Sequence, residues 1–313
     1  MRTTRTTSRR ALAVATLSVA ALVAACSSGG NDQGSAQPQG QRLQLTLGTK
    51  NFTEAFIVGE LYKKALVARG YSVNLRKNIG STEVIDKALT SGEIDAYPEY
   101  LGVAMSVVGR REDVIKDDRA TYAAAKRFYE GRGQTISAQT PFENVDAIAT
   151  TTFAAQRAGL RTVADLKKLD SFTLGARPEF ETRFQGLRGM EATYGIRGAR
   201  FRPFAIGAQY RALDAGDIDA ANVFTTDGQL ATGDYKVLAD PQRVFGVQHV
   251  ALVIDRDKLQ ALGGRRFMNI IDAVNRRLTT DDMIAMNRAV GIAGQNEADV
   301  VGRFLRENGL APG

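Results

Sequence analysis

The chain has 313 residues, of which 44% are hydrophobic and 24% charged, and its formal net charge is +7. This composition is typical of a globular protein, and the length exceeds what one small domain usually needs, which favours two domains. Four arginines, Arg2, Arg5, Arg9 and Arg10, lie before the first apolar run, and without them the charge is +7 − 4 = +3. A balance of +3 gives no support to the binding of nucleic acid or another polyanion.

The N-terminal segment has the features of an export signal. Residues 11–25 are apolar, and about fifteen residues are fewer than the roughly twenty that span a bilayer. They end in Val-Ala-Ala before Cys26, which resembles the lipobox of bacterial lipoproteins. We therefore expect a signal peptide at 1–25 and lipidation of Cys26; a buried free cysteine is the alternative. Arg9 and Arg10 leave open whether export follows the Sec or the twin-arginine route.

Residues 26–42 are rich in glycine, serine, glutamine and asparagine, which predicts a flexible tether. The lone Cys26 excludes an intramolecular disulfide and a cysteine metal cluster. His249 is the only histidine, and it has no partners for a metal site or a Ser-His-Asp arrangement. The common nucleotide-binding, hydrolase and zinc-protease motifs are also missing from the sequence. We expect no catalysis, no cofactor and no metal; an enzyme or a ligand-sensing regulator on the same fold is the alternative.

The predicted elements alternate between strands and helices along the first half of the mature chain. Strands are predicted at 42–48, 71–77 and 94–97, and helices at 53–69, 81–91 and 119–131. Gly70 and Gly92 follow two of these helices, as glycine commonly does at a helix C-terminus. The apolar segment 141–149 is predicted to be a strand that crosses to a second lobe.

The second half has the same character. Strands are predicted at 172–175, 201–203 and 218–224, with helices at 184–194 and 209–215 and a short one starting at Asp165. A strong strand at 245–254 has the position to return the chain to the first lobe. Helices near 269–277, 281–290 and 297–308 then complete that lobe.

Two phrases of the sequence occur twice in the same order. Residues 45–52 (LTLGTKNF) are echoed from Phe172 (FTLGARPEF), an offset of 172 − 45 = 127. Residues 88–100 (ALTSGEIDAYPEY) are echoed at 212–224 (ALDAGDIDAANVF), an offset of 212 − 88 = 124. Apart from a chance echo, this indicates two similar α/β lobes with a ligand cleft between them, beyond the carboxyl ends of their strands.

Several of these phrases together resemble a known family. They are the residues 48–54 (GTKNFTE), 92–100 (GEIDAYPEY), 224–228 (FTTDG) and the C-terminal 278–305. The chain is similar, over about 43–310, to the substrate-binding proteins of osmoprotectant ABC importers, which bind glycine betaine, choline and proline betaine. The resemblance implies a type II periplasmic-binding fold, with two doubly wound lobes joined by a two-strand hinge. We expect 43–143 plus 250–313 to form lobe 1 and 144–249 to form lobe 2.

The resemblance also implies partners and a place of work. The protein would bind a small-molecule solute and pass it to the permease and ATPase subunits of an ABC importer. It would be extracytoplasmic and held at the cell membrane by its lipid anchor, with no nucleic-acid partner.

In that family, a cage of tyrosines holds the quaternary ammonium through cation–π attraction, and a lysine and an arginine meet the ligand carboxylate. Lys50 matches the first-lobe cation, Tyr100 a cage tyrosine, and Phe224 replaces a cage aromatic. Arg183 is placed to meet a carboxylate from the second lobe. The complete predicted ligand set is Lys50, Asn51, Phe52, Tyr100, Asn144, Asp146, Arg183, Phe224, Thr225 and Gln248.

Two members of this set depart from the family pattern, because Asp146 and Gln248 stand where cage tyrosines are expected. Asp146 is able to attract a ligand cation by its charge, as in choline-preferring sites. Alternatively, the cleft accepts a flat aromatic or phenolic compound that stacks on Tyr100 and Phe224 and accepts or donates hydrogen bonds at Asn144, Asp146 and Gln248. Both readings stay open at this stage.

Overall fold

The structure is a computed structural model that describes residues 43 to 311. The predicted signal peptide, Cys26 and the tether lie outside these residues. Among the described residues, no helix combines the length and hydrophobicity that crossing a membrane requires.

The described chain alternates between strands and helices. The strands are β1 (Gln44–Lys50), β2 (Ser72–Gly80), β3 (Ala96–Tyr100), β4 (Gln134–Ile136), β5 (Asp146–Thr151), β6 (Phe172–Ala176), β7 (Ala199–Pro203), β8 (Ala220–Phe224), β9 (Tyr235–Leu238) and β10 (Val250–Asp255). The helices are α1 (Thr53–Val67), α2 (Thr82–Thr90), α3 (Leu101–Val103), α4 (Asp118–Glu130), α5 (Thr152–Ala158), α6 (Leu187–Tyr194), α7 (Gln209–Asp214), α8 (Arg256–Ala261), α9 (Arg265–Asn275), α10 (Thr280–Gly291) and α11 (Glu297–Glu307).

The strands form two sheets with the same order. The first sheet is β2-β1-β3-β10-β4 and the second is β7-β6-β8-β5-β9. In each sheet four strands run in one direction, and the remaining strand, β10 or β5, runs antiparallel to its neighbours on both sides. We call each sheet with its helices a lobe. The predicted two-lobed α/β fold is confirmed.

The repeated phrases occupy matching places in the two lobes. The Asp95 carboxylate accepts a hydrogen bond from the backbone N–H of Thr46 at 2.7 Å. The Asp219 carboxylate accepts one from the N–H of Thr173, also at 2.7 Å. Asp95 thus joins the segment before β3 to β1, and Asp219 joins the segment before β8 to β6. The offsets of 124 and 127 residues therefore relate pairs of residues with the same structural role.

A pair of glycines shows the same correspondence. A β-carbon on Gly48 would lie 2.6 Å from Cδ1 of Ile94, and one on Gly175 would lie 2.4 Å from Cδ1 of Ile218. Both distances are shorter than carbon–carbon contacts allow, so Ile94 packs directly on the bare backbone of β1 and Ile218 on that of β6. The repeated Leu-Gly and Gly-x-Ile-Asp phrases are thus the two sides of one packing contact.

The chain passes between the lobes twice, after β4 and after β9. The two connections lie side by side, since Glu143 and His249 form an antiparallel bridge and the N–H of Asn144 donates to the carbonyl of Gln248 at 3.1 Å. The predicted strand at 245–254 begins only at Val250, because the residues before it belong to this connection. A pair of adjacent connections is the arrangement of a hinge.

The C-terminal helices pack on the first lobe. Val301 and Phe304 of α11 share a buried core with Ile57 and Leu61 of α1. This places α1 between the first sheet and the C-terminal helices, so the residues at its N-terminal end are held from both sides.

Candidate solute-binding site

A cavity of about 440 Å³, measured out to its open mouth, lies where the strand ends of the two lobes meet. Its lining includes eight of the predicted ligand residues: Lys50, Asn51, Phe52, Tyr100, Asn144, Asp146, Arg183 and Phe224. It also includes Ser81, Thr82, Val103, Arg177, Glu179 and Ile206. Strands β1, β3 and β8 end at this cavity, which is the usual place for a ligand in an α/β fold.

Three aromatic rings form one wall of the cavity. The Phe52 ring lies between the other two, with centroid distances of 5.6 Å to Tyr100 and 5.5 Å to Phe224. Tyr100 ends β3 of the first lobe and Phe224 ends β8 of the second. The wall is therefore built from both lobes and presents the apolar, electron-rich surface that an onium group or a flat ring favours.

Lys50 is the cation of the first lobe. Its amine forms a buried ion pair with Glu99 and lies 5.0 Å from the centroid of the Tyr100 ring. Burial lowers the pKa of Lys50, and the adjacent Glu99 carboxylate opposes that shift. Glu99 thus holds the amine in place beneath the aromatic wall.

Arg177 is the matching cation of the second lobe, at the position that corresponds to Lys50 in the repeat. Its guanidinium donates two hydrogen bonds to the Asp146 carboxylate, at 2.6 and 2.9 Å. The amide of Asn222 donates a further bond to Asp146 at 2.9 Å. Arg177 also lies over the Phe224 ring, 5.3 Å from its centroid. The charge of Asp146, which was predicted to attract a ligand cation, is therefore balanced within the protein.

Arg183 reaches from the second lobe to the first. It donates to both oxygens of Glu83 on α2, at 3.1 and 2.9 Å, and its side chain is only 8% exposed. Arg183 therefore lines the cavity and bridges its two sides.

Gln248 and Thr225 lie outside the lining of this cavity, in contrast to their predicted role as ligand contacts. The buried Gln248 amide accepts from the N–H of Val103 at 2.9 Å and donates to the carbonyl of Phe245 at 3.0 Å. The hydroxyl of the exposed Thr225 accepts from the N–H of Val145 at 2.9 Å. Both side chains are occupied in fixing the connections between the lobes.

Arg177 and Glu54 are two of the residues at the site that were absent from the predicted set. Arg177 was visible as the echo of Lys50 in the repeat, and that correspondence was the signal that could have placed it. Glu54 belongs to the GTKNFTE phrase, but only the structure shows that its carboxylate is buried, at 3% exposure, against Tyr100 and Asn144.

A second cavity, of about 880 Å³ measured in the same way, adjoins the first behind the Phe52 and Phe224 rings. Asp227 lines it, accepting from the Tyr210 hydroxyl at 2.7 Å and from the N–H of Phe224 at 3.0 Å. Burial raises the pKa of Asp227 from 3.8 to about 6. Its ionised form is therefore disfavoured in the folded protein.

We expect Asp227→Asn to flatten the pH dependence of stability. Because the folded-state pKa of Asp227 is raised, folding takes up a proton between about pH 3.8 and 6, and the ionised residue costs stability above pH 6. Its contribution should become more favourable as the pH falls from about 6 towards 3.8. Thermal unfolding midpoints measured at several pH values should show this component in the wild type and lose it in the variant. Parallel pH profiles for the two proteins would contradict the assignment.

The family model for the substrate-binding domain of ABC-type glycine betaine transport systems matches residues 44–307, nearly all of the described chain. The chain belongs to this family. It is therefore a substrate-binding component of an ABC-type transport system of the glycine betaine family, which works with a permease and an ATPase.

Relatives and a solved structure agree with this membership. The glycine-betaine-binding protein of Pseudomonas aeruginosa is 30% identical, with 85% of this chain and 88% of the relative covered. The carnitine transport binding protein of Listeria monocytogenes is 26% identical, with 86% and 88% covered. The crystal structure of a glycine betaine/carnitine/choline ABC transporter protein superposes with a TM-score of 0.69 at 25% identity, covering 85% of this chain and 99% of that one. The predicted resemblance to the osmoprotectant-binding family is confirmed.

Proposed function

We propose that this protein captures glycine betaine or a closely related quaternary ammonium solute between its two lobes and delivers it to an ABC permease. The observation that carries the proposal is the wall of Tyr100, Phe52 and Phe224 facing the same cavity as Lys50 and Arg183. The rings suit a trimethylammonium group, which cannot donate hydrogen bonds, and the two cations suit a carboxylate.

The charges around the cavity favour a zwitterionic ligand over a ligand that carries only a positive charge. Lys50 and Arg177 are each paired with a buried carboxylate, and Arg183 is paired with the half-exposed Glu83. The partner of Arg183 is therefore the one that a ligand carboxylate replaces most easily, since an exposed ion pair contributes little. Choline, which has no carboxylate, would gain nothing from Arg183.

Calorimetric titration tests this proposal. Glycine betaine should give saturable binding, carnitine should bind, and choline should bind more weakly than glycine betaine. Absence of heat with all three at millimolar concentration would overturn the ligand class.

The second candidate is the same clamp and transport role with a flat aromatic or phenolic ligand. It is favoured by the near-parallel Phe52 and Phe224 rings, whose planes differ by 25°. It is also favoured by Lys50 and Arg177, which already lie over the Tyr100 and Phe224 faces and compete there with a ligand cation. A panel of phenolic and aromatic amino-acid solutes in the same titration separates the two ligand classes.

We further propose that the protein works outside the cytoplasm as a lipoprotein, with residues 1–25 removed and Cys26 acylated. The support is the small-residue phrase before Cys26 and the polar composition of 26–42. We also propose that residues 43–143 plus 250–313 form lobe 1 and residues 144–249 form lobe 2, and the division of the strands between two sheets supports this.

We expect Cys26→Ser to move the protein from the membrane fraction to the soluble fraction of a bacterial host, because the acylated thiol is lost. Radiolabelled palmitate should label the wild type and the Ser27→Ala control but not the variant. A Cys26→Ser protein that stays in the membrane fraction in the wild-type proportion would contradict the anchor.

A further inference from the structure

Glu54 lies in the first turn of α1, beneath the aromatic wall, and its carboxylate accepts four hydrogen bonds. One oxygen accepts from the Tyr100 hydroxyl and from the Asn144 amide, both at 2.8 Å. The other accepts from the Thr226 hydroxyl and from the Asn287 amide, the latter at 2.8 Å. All four donors are neutral groups.

The NH₂ groups of Asn144 and Asn287 can only donate, and together with the two hydroxyls they fill the four acceptor sites of an ionised carboxylate. Burial raises the pKa of Glu54, and the hydrogen bonds from Thr226, Tyr100, Asn287 and Asn144 oppose the rise. The carboxylate is therefore held in a dry position by the donors around it, and the loss of any donor leaves part of a buried charge unsatisfied.

The donors come from different parts of the fold. Tyr100 ends β3 and Asn287 lies on α10, both in the first lobe. Asn144 belongs to the connection between the lobes, and Thr226 follows β8 of the second lobe, two residues after Phe224. The carbonyl of Thr226 also accepts from the Asn287 amide at 2.9 Å. One carboxylate thus joins the Tyr100 side of the aromatic wall to the turn that follows its Phe224 side.

We propose that Glu54 is a positioning residue that couples closure of the lobes to the orientation of the Tyr100 ring. When the lobes close, Thr226 and Asn144 complete the set of donors, and the carboxylate then fixes the Tyr100 hydroxyl. When the lobes separate, the Thr226 bond breaks. This inference rests on the proposed function, because it assigns Glu54 to the same solute site.

Glu54→Gln tests the proposal with little change in shape. The glutamine amide turns an NH₂ group towards one hydroxyl and one asparagine amide wherever it is oriented. The hydroxyl can accept from that NH₂ group, but the asparagine NH₂ cannot, so at least one buried hydrogen bond is lost. We expect glycine betaine to bind roughly tenfold more weakly or worse. Glu60→Gln is the matched control, because Glu60 is also a buried carboxylate of α1 but pairs with Lys63 on the same helix.

Thr226→Val is the second variant, since it removes only the donor of the second lobe and preserves the size of the side chain. We expect it to weaken binding several-fold, and we expect the double variant to lose less than the sum of the two single losses, since both act on one contact. Chemical unfolding should confirm that each variant is folded before binding is compared.

Small-angle X-ray scattering measures whether the variants change the separation of the lobes. A residue that only stabilises the fold would not alter that separation. The radius of gyration of folded Glu54→Gln and Thr226→Val, with and without glycine betaine, should exceed that of the wild type and of Glu60→Gln in at least one condition. Unchanged affinity and unchanged radius in Glu54→Gln would overturn the proposal, as would full loss of binding in Glu54→Gln with none in Thr226→Val. If the wild type does not bind glycine betaine, the proposed ligand fails, and the scattering comparison of the unliganded proteins still decides the role of Glu54.

Discussion

Replacing Arg177 with methionine should lower the free energy of unfolding by about 3–5 kcal/mol, the cost of leaving one member of a buried ion pair alone. Asp146 is 3% exposed and accepts two hydrogen bonds from Arg177. Without these two bonds, the buried Asp146 carboxylate keeps only one neutral donor, the Asn222 amide. Since folded domains are stable by only about 5–15 kcal/mol, this loss should be plain in denaturant unfolding followed by circular dichroism.

Two further variants make the Arg177 experiment specific. Arg200→Met removes an exposed arginine from the second lobe and should change stability little. The double variant Arg177→Met/Asp146→Asn removes the buried charge as well, and it should recover a large part of the loss. A single variant as stable as the wild type, or a double variant no better than the single one, would contradict the account of this pair.

Replacing Phe224 with alanine should weaken the binding of glycine betaine by roughly 30-fold, because one desolvated cation–π contact contributes about 2 kcal/mol. The Phe224 side chain is only half-buried at the end of β8, so the fold should survive its truncation. Tyr100→Ala is a less direct test, because Tyr100 is 5% exposed and its hydroxyl is bonded to Glu54.

The matched control for Phe224→Ala is Phe153→Ala, which truncates a phenylalanine of the second lobe that is 71% exposed on α5. Titration calorimetry and thermal unfolding should be measured on both variants. Equal affinity of Phe224→Ala and the wild type would remove this ring from the site. A comparable loss in Phe153→Ala would show that the effect is not local.

The doubled fold could be predicted because its cause is local and repeated. A glycine in the first strand, an isoleucine that packs on it and an aspartate that ties down the strand recur at fixed offsets, as Gly48, Ile94 and Asp95 do in the first lobe. The sheet of each lobe can therefore be predicted from these phrases of the sequence. The order of these phrases also predicts where β1 and β3 end, and Lys50 and Tyr100 lie at those ends.

The contacts that complete the site could not be predicted in this way. Asp146 lines the cavity, but its hydrogen-bond partner Arg177, 31 residues later in the chain, could not be predicted. Glu54 accepts from Thr226, 172 residues later, and from Asn287, 233 residues later. Such pairings depend on how the lobes and the C-terminal helices meet, which no local phrase encodes.

Gln248 illustrates the same limit. The apolar segment predicted a strand through Gln248, and the family resemblance implied a ligand contact there. The structure places Gln248 in the connection between the lobes, where it bonds to Val103 and Phe245. The segment is apolar because it is buried between two lobes, and a burial pattern alone does not distinguish that position from a strand.

A crystal structure of the protein grown with glycine betaine tests the central claim most directly. We predict one ligand between the lobes, with its trimethylammonium group against Tyr100, Phe52 and Phe224 and its carboxylate within hydrogen-bonding distance of Lys50 or Arg183. Glycine betaine bound away from these rings, or lobes packed together with no ligand between them under saturating glycine betaine, would contradict it.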